Sequence, residues 1–143
     1  MVLVLLLLLF GCTEQKLNIN SILKEKHEIV LAKRYMFGLS NVQVYETDAK
    51  ITYYTNRKEE TDSTPNITAS GRFVYEGSCA VSPDLKTKYC LKFGDLVYIE
   101  KLDQFFVIED ITNQRLEKVV DIFSYQRVNK TYKSKAYFIS FRN

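Results

Sequence analysis

Two short acidic patterns contain the side chains best suited to chemistry. Asp121 lies inside the apolar run VVDIF, and Asp110 ends the run FFVIED. A carboxylate inside an apolar β-run costs stability unless it is paired or faces a cleft. Burial and a neighbouring negative charge both favour the protonated form of a carboxyl, so two such groups can supply a general acid that later acts as a base. The alternative is that Asp121 is an outward-facing strand residue without a chemical role.

The composition excludes several other kinds of chemistry. The 143 residues include one histidine and three cysteines, which rules out a multi-histidine metal site and leaves Cys79 and Cys90 without a histidine in the predicted domain. Lys and Arg total 20 against 17 Asp and Glu, a net charge of +3 without a basic run, so nucleic acid is not an expected partner. The sequence contains no phosphate loop, CxxC or HExxH motif, and we expect no cofactor and no metal.

The elements that must position the carboxylates have the pattern of short strands. From Val42 the apolar residues recur with a period of two, which predicts one long or bulged strand as far as Tyr54, followed by a polar loop over 56–66. Further β-type runs are punctuated by glycines. They cover residues 72–75, 79–81, 96–99, 105–108, 119–123 and 136–141. The length and this spacing predict a single all-β domain over 42–143, a small barrel or sandwich.

The first residues have the pattern of an export signal. Residues 1–10 read MVLVLLLLLF and precede Gly11-Cys12. An apolar helix of this length reaches roughly 13 Å, too short for a bilayer core of about 30 Å. The stretch LFGC resembles a bacterial lipobox, although no Lys or Arg precedes the apolar run. We therefore expect a signal peptide over 1–11, a lipid on Cys12, a helical or extended spacer over 12–41 and a place in the cell envelope; the alternative is a buried N-terminal strand.

The two cysteines of the predicted domain admit two interpretations. Cys79 and Cys90 are separated by ten residues. Outside the cytoplasm they could form a disulfide, which would stabilise the domain by roughly 2–3 kcal/mol in the chain-entropy model. The other interpretation is two unpaired thiols, and the sequence leaves both open.

A series of short motifs runs from residue 51 to residue 123. In order they read ITYYT, TDSTP, TASG, AVSP, FGDLVYI, ED and VDIF. This order resembles the three-aspartate (3D) domains, a double-psi β-barrel family related to membrane-bound lytic transglycosylase A and, more distantly, to rare lipoprotein A and the expansins. The family's second and third aspartates correspond to Asp110 and Asp121. Its first corresponds to Ser82, because the usual AVDP reads AVSP here, and its glycine-rich segment is replaced by residues 111–115.

The resemblance implies a six-stranded double-psi β-barrel that cleaves the glycan strands of peptidoglycan in the manner of a lytic transglycosylase. Asp121 would be the acid and base, and Asp110 its electrostatic partner. The only contact with a membrane would be the lipid anchor. The expected substrate-binding residues are Tyr54, Thr68, Ser70, Gly71 and Ser82.

Some of these expectations have alternatives in the sequence. The hydroxyls of Thr68 and Ser70 either bind glycan or stabilise their own turn, and one of the adjacent Tyr53 and Tyr54 is expected in the core rather than against a sugar ring. The whole domain could instead be a non-catalytic module that binds glycan or a wall protein, which Ser82 and the missing glycine-rich segment favour. A glycoside hydrolase is less expected, because it needs two carboxylates at a defined separation that sequence does not supply.

Overall fold

The computed structural model describes residues 41–57 and 66–142, and within β-strands it leaves out the side chains of residues 41, 42 and 142. The predicted signal peptide over 1–11, the lipidated Cys12 and the spacer, apart from its last residue, lie outside the described residues. So does most of the polar loop that contains TDSTP. No helix among the described residues is long and apolar enough to cross a membrane.

Six strands, one short helix and one 3-10 turn make up the described chain. The strands are β1 (Asn41–Tyr54), β2 (Ser78–Val81), β3 (Leu96–Ile99), β4 (Gln104–Ile111), β5 (Val119–Phe123) and β6 (Tyr132–Arg142). Helix α1 (Pro83–Lys88) follows β2, and the 3-10 turn (Glu100–Leu102) follows β3. The predicted long first strand is confirmed, since β1 is continuous over 14 residues.

The strands close into one mixed barrel in the order β1-β5-β2-β4-β3-β6. β1 pairs in parallel with β5 and β2 pairs in parallel with β4, while the remaining four pairings are antiparallel. Exchanging β1, β2 and β3 with β4, β5 and β6 reproduces the same set of pairings, so the two halves of the barrel are related by an approximate two-fold. Closure leaves no open sheet edge. The prediction of a small all-β barrel of six strands is confirmed.

Alternating residues of the strands fill the interior of the barrel. The main buried cluster contains Ile51, Cys79, Val81, Val97, Ile99, Phe106, Ile108, Val120, Ile122 and Phe138, with Leu85, Tyr89 and Leu91 from α1 and the segment after it. Successive strand residues point to opposite faces, so the residues between these positions face outward. Part of that outer face carries a second buried cluster made of Tyr54, Val74, Ala80 and Phe123.

Two local predictions differ from the structure. Residues 72–75 do not form a strand; they make one isolated β-bridge, between Ile67 and Phe73. Helix α1 was not expected, although its start carries a readable signal: Ser82 occupies the N-cap position, a proline follows in the first turn and Asp84 adds an acid near the positive end of the helix. A six-residue helix is too short for its apolar period to stand out from a β-type pattern.

Candidate functional site

Asp121 and Asp110 lie on one face of the barrel, on either side of Ala80. Ala80 of β2 is paired with Asp121 of β5 on one side and with Asp110 of β4 on the other. Asp121 is paired in turn with Thr52 of β1. Paired residues on adjacent strands point to the same face, so Thr52, Asp121, Ala80 and Asp110 form a row across four strands, which we call the carboxylate row. With strands about 4.8 Å apart, the two aspartate Cα atoms are about 10 Å apart.

A β-bulge in β4 turns Asp110 toward this face. Cys79 is paired with Ile108 and the next residue, Ala80, is paired with Asp110, so Glu109 is an extra residue in β4. Without the bulge, the alternation of side chains would direct Asp110 into the barrel. Bulges of this kind re-aim side chains next to functional sites in many proteins.

The turn TASG lies directly against Asp110. The backbone N–H of Ala69 donates to Asp110 Oδ1 at 3.0 Å, and the N–H of Ile111 donates to the same oxygen at 2.9 Å. The turn is closed by a bond from the N–H of Gly71 to the carbonyl of Thr68 at 2.9 Å, with Gly71 at φ +82°. That backbone conformation favours glycine, which explains the last residue of the motif.

The side chain of Thr68 makes hydrogen bonds within its own turn. Its side chain is buried, its Oγ1 donates to the carbonyl of Arg72 at 3.0 Å, and it lies 2.9 Å from the hydroxyl of Ser70. Ser70 is half-buried and its N–H donates to the carbonyl of Glu109 at 3.0 Å. Of the two hydroxyls, that of Ser70 is the more accessible to a ligand.

The bulge residue Glu109 is held beneath the turn by two side chains. Its carboxylate is 1% exposed. Arg72 Nη1 and the Tyr75 hydroxyl each donate to Oε1 at 3.2 Å. Burial, followed by the negative charge of Glu109, raises the pKa of Tyr75 to about 12, so this phenol remains a donor. Glu109 therefore anchors the segment that carries Asp110 and the turn.

Asp121 is bound by the neighbouring strand. The Thr52 hydroxyl donates to Asp121 Oδ1 at 2.6 Å, and the aspartate is half-buried. Its chain neighbours Val120 and Ile122 are buried in the barrel, so the carboxylate faces outward, as the alternation of the sequence predicted. The apolar residue on the same side of β5, Phe123, is also fully buried, beneath the outer cluster. The face around Asp121 therefore also carries buried apolar residues.

Tyr54 brings a buried hydroxyl to the same site. Its ring packs edge-on against Phe123 at 5.4 Å between centroids, and the residue is 9% exposed. Its hydroxyl oxygen is buried and has no hydrogen-bond partner, and it is the one such side-chain atom found within residues 41–57 and 66–142. Burial, followed by the charges of Asp110, Cys79 and Asp121, raises the pKa of the phenol well above its usual range. The ring is packed against Phe123, so Tyr54 does not offer a face on which a sugar ring could stack.

Ser82, at the position of the family's first aspartate, makes hydrogen bonds between two strands in this chain. Ser82 is fully buried, and its hydroxyl accepts the N–H of Val119 at 3.0 Å. Ser82 N–H donates back to the carbonyl of Val119 at 3.0 Å. Ser82 joins the end of β2 to the start of β5, and the expectation that it binds substrate stays a prediction.

The structure does not join Cys79 and Cys90 to each other by a disulfide. Cys79 is buried in the core and Cys90 is exposed after α1. Burial, followed by the charges of Asp121, Glu109 and Asp110, raises the pKa of the Cys79 thiol well above its usual range. Cys79 is therefore an apolar core residue and not a nucleophile.

Sequence analysis missed one buried carboxylate, Asp95. It is 3% exposed and accepts the N–H of Lys92 at 2.8 Å, the Ser140 hydroxyl at 2.9 Å and the N–H of Phe141 at 3.2 Å. A Gly-Asp pair just before a strand is the signal that could have found it, because aspartate readily accepts nearby backbone N–H groups in turns. Asp95 ties the start of β3 to the end of β6.

The chain was compared with protein-family models and with curated proteins. No family model matches it, and the search of curated proteins finds no match. In the described part of the chain, no group of three or more His, Cys, Asp or Glu side chains could hold a metal ion. The resemblance to three-aspartate domains stays a prediction from the motifs.

Proposed function

We propose that this protein cleaves the glycan strands of peptidoglycan in the manner of a lytic transglycosylase, with Asp121 as the acid and base. One observation carries the proposal: Asp121 and Asp110 share one outward face, separated by the single methyl side chain of Ala80. Asp110 and Asp121 both act electrostatically on the Tyr54 phenol, which supports a single site rather than two separate ones.

The chemistry needs one carboxyl in two successive roles. Protonated Asp121 would give its proton to the glycosidic oxygen as the C1–O bond breaks. The 6-hydroxyl of the muramyl sugar would then attack C1, and the ionised Asp121 would take the hydroxyl proton. The product is an anhydro-muramyl end, and neither water nor a carboxylate nucleophile takes part.

The hydrogen bonds around the two carboxylates support this division of roles. Asp110 accepts two backbone N–H groups, from Ala69 and Ile111, and such donors stabilise a negative charge. Asp121 accepts the Thr52 hydroxyl, which can bond to either protonation state of a carboxyl. A fixed negative charge on Asp110 would favour retention of a proton on Asp121 and would stabilise positive charge that develops on the sugar.

Digestion of purified peptidoglycan tests the proposal. Wild type should release fragments with anhydro-muramyl ends, and Asp121→Asn should lower the rate roughly 10²- to 10⁴-fold, the range for loss of a general acid. Asp48→Asn is the matched control, since Asp48 is exposed on β1 and its loss makes the same charge change. Mass analysis of the sugar ends reads the outcome. Reducing ends would show a hydrolase, and equal rates for Asp121→Asn and wild type would contradict the assignment of Asp121.

A second candidate function is a non-catalytic module that binds glycan or a wall protein. The buried, engaged Ser82 favours it, because the position that carries the first acid of the family contributes no acid here. Sedimentation with insoluble peptidoglycan distinguishes the two functions. Binding by wild type without release of any fragment would support the module and contradict the enzyme.

We also propose that the chain is attached to a membrane surface by a lipid on Cys12, from the LFGC stretch that precedes the polar residues. Labelling of cells with a fatty acid should mark wild type and leave Cys12→Ala unlabelled. Cys90→Ala, which removes an exposed thiol of the barrel, should label as wild type does. Equal labelling of wild type and Cys12→Ala would overturn the proposal.

A further inference from the structure

The most exposed large apolar side chains of the described chain lie close to one another. Phe73 is 75% exposed and Tyr125 is 58% exposed, and we call these two residues the aromatic lip. The Tyr125 hydroxyl donates to the carbonyl of Val74, the residue after Phe73, at 3.3 Å. This bond brings the two segments together. Exposed aromatic side chains on neighbouring segments cost solubility without stabilising the fold, and such surfaces commonly bind ligands or partners.

Both segments that carry the lip are held by hydrogen bonds and packing. Next to Phe73, the N–H of Val74 donates to the carbonyl of Asn66 at 3.0 Å, and Phe73 itself forms the bridge with Ile67. The Tyr125 ring packs edge-on against Phe123 at 4.9 Å, and its N–H donates to Glu76 Oε1 at 2.8 Å. The Tyr125 ring is thus already positioned and loses little conformational entropy when a ligand stacks on it, whereas for Phe73 it is the backbone that is held.

The lip is continuous with the carboxylate row. The Tyr125 ring contacts Phe123, and Phe123 contacts Tyr54, whose hydroxyl lies in the field of Asp110 and Asp121. On the other side, the chain that leads to Phe73 begins at the turn whose Ala69 N–H bonds Asp110. A ligand seated over the carboxylates would therefore extend toward the lip.

The polar groups of the row define the chemistry of that ligand. Tyr54 presents a buried hydroxyl without a partner, beside two carboxylates that accept hydrogen bonds. A ligand hydroxyl can accept from Tyr54 and donate to a carboxylate, whereas an anionic ligand would be repelled. A neutral ligand with several hydroxyls and an apolar ring face meets both the row and the lip, and a sugar has this chemistry.

We propose that Phe73 and Tyr125 form a saccharide subsite next to the carboxylate row, so that one sugar ring places its hydroxyls at Tyr54 and the carboxylates while a neighbouring ring stacks on the lip. The choice of a glycan strand as the polymer rests on the proposed function. The subsite itself binds whether or not the row catalyses cleavage.

Sedimentation of the full chain with increasing amounts of insoluble peptidoglycan tests the subsite. Phe73→Ala and Tyr125→Ala should each weaken binding up to roughly tenfold, the effect of losing one aromatic stacking contact. Leu116→Ala is the control, because Leu116 is also an exposed apolar residue but is 40% exposed and lies between β4 and β5. Tyr54→Phe should weaken binding while the thermal unfolding midpoint does not fall, a combination that a purely structural hydroxyl would not give.

The outcomes separate this subsite from the cleavage reaction. Lip-dependent binding without fragment release would support the subsite and contradict the enzyme. Cleavage that depends on Asp121 with unchanged binding by Phe73→Ala and Tyr125→Ala would overturn the subsite and leave the enzyme standing. The lip could instead bind a second copy of the chain, and sedimentation-velocity analysis of the free protein tests for this. If wild type self-associates and Phe73→Ala does not, the lip is an interface between copies and the saccharide subsite is wrong.

Discussion

Two regions of the barrel carry aspartates that are partly or wholly buried, and their surroundings differ. At the junction of β3 and β6, Asp95 accepts three hydrogen bonds, two from backbone N–H groups and one from the Ser140 hydroxyl. All three donors are groups of the folded chain itself. The carboxylate is 3% exposed and offers a ligand no approach.

The carboxylate row differs from that junction both in exposure and in hydrogen bonding. Asp121 and Asp110 are half-buried and face outward, and beside them the Tyr54 hydroxyl is buried without a partner. An unsatisfied buried polar group costs roughly 1–3 kcal/mol. The comparison teaches that burial alone does not identify a functional carboxylate: Asp95 is more buried than Asp121, yet its hydrogen bonds serve the fold.

The largest effect should come from making the same substitution in both regions. Asp95→Asn puts an N–H₂ group where only acceptors fit, opposite N–H and O–H donors, and should lower the free energy of unfolding by about 3 kcal/mol. Asp121→Asn keeps an oxygen for the Thr52 hydroxyl and should change stability by about 1 kcal/mol or less. Urea unfolding measures both. Equal losses of stability would break the distinction between the two regions.

The next effect concerns Ser82, which sits at the position of the missing aspartate. Ser82→Ala leaves the N–H of Val119 buried without its acceptor and should cost about 2 kcal/mol. Thr131→Ala, in an exposed loop, should stay within about 0.5 kcal/mol. Urea unfolding of the two variants gives the values. A stable Ser82→Ala variant with altered peptidoglycan binding would return Ser82 to the functional site.

Removing the hydroxyl of Tyr75 and removing that of Tyr54 should change the stability of the protein in different directions. Tyr75→Phe removes a donor from the buried Glu109 carboxylate and should destabilise the protein by about 1–2 kcal/mol. Tyr54→Phe removes a hydroxyl that has no partner and should leave stability unchanged or raise it by up to about 1 kcal/mol. Thermal and urea unfolding of both variants would show the sign. A clear loss of stability in Tyr54→Phe would mean that its hydroxyl serves the fold.

The sequence predicts the parts of this molecule that depend on local pattern. The runs at 96–99 and 119–123 coincide with β3 and β5, because short, nearly continuous apolar runs are typical of strands that are buried on both faces. The barrel class follows from the number and spacing of such strands. The turn at Gly71 is also local, since its positive φ favours glycine.

The arrangement of the site depends on contacts that no local pattern encodes. Asp110 faces outward only because Glu109 is an extra residue relative to β2, and a bulge is defined by the register of its partner strand. The row exists because Ala80 is paired with both aspartates, which are separated by a loop and come from different strands. The motifs could indicate that Asp110 and Asp121 belong together. They could not show that Ala80 lies between the two aspartates or that Tyr54 lies beside them, because both facts depend on how the strands pair.

The smallest predicted effect concerns Asp84, whose carboxylate is hydrogen-bonded like that of Asp95 but lies nearer to solvent. Partial burial acts to raise the pKa of Asp84, but hydrogen bonds from the Ser82 hydroxyl and the N–H of Lys118 outweigh it and hold the pKa below its usual value. The Lys118 N–H lies 3.1 Å from Oδ2 and 3.2 Å from Oδ1. These bonds belong to the ionised form, so they stabilise the folded state only while the carboxylate is charged.

The pH dependence follows from the sign of that shift. A carboxyl with a lower pKa in the folded state contributes stability above its unfolded pKa, near ~3.9, and loses it as the pH falls toward the folded value. Wild type should therefore lose more stability between pH 6 and pH 3 than Asp84→Asn does, as measured by urea unfolding at both values. The difference should be the smallest of those predicted, because solvent screens a carboxylate near the surface. An identical loss in the two proteins would mean that Asp84 is not held in its ionised form.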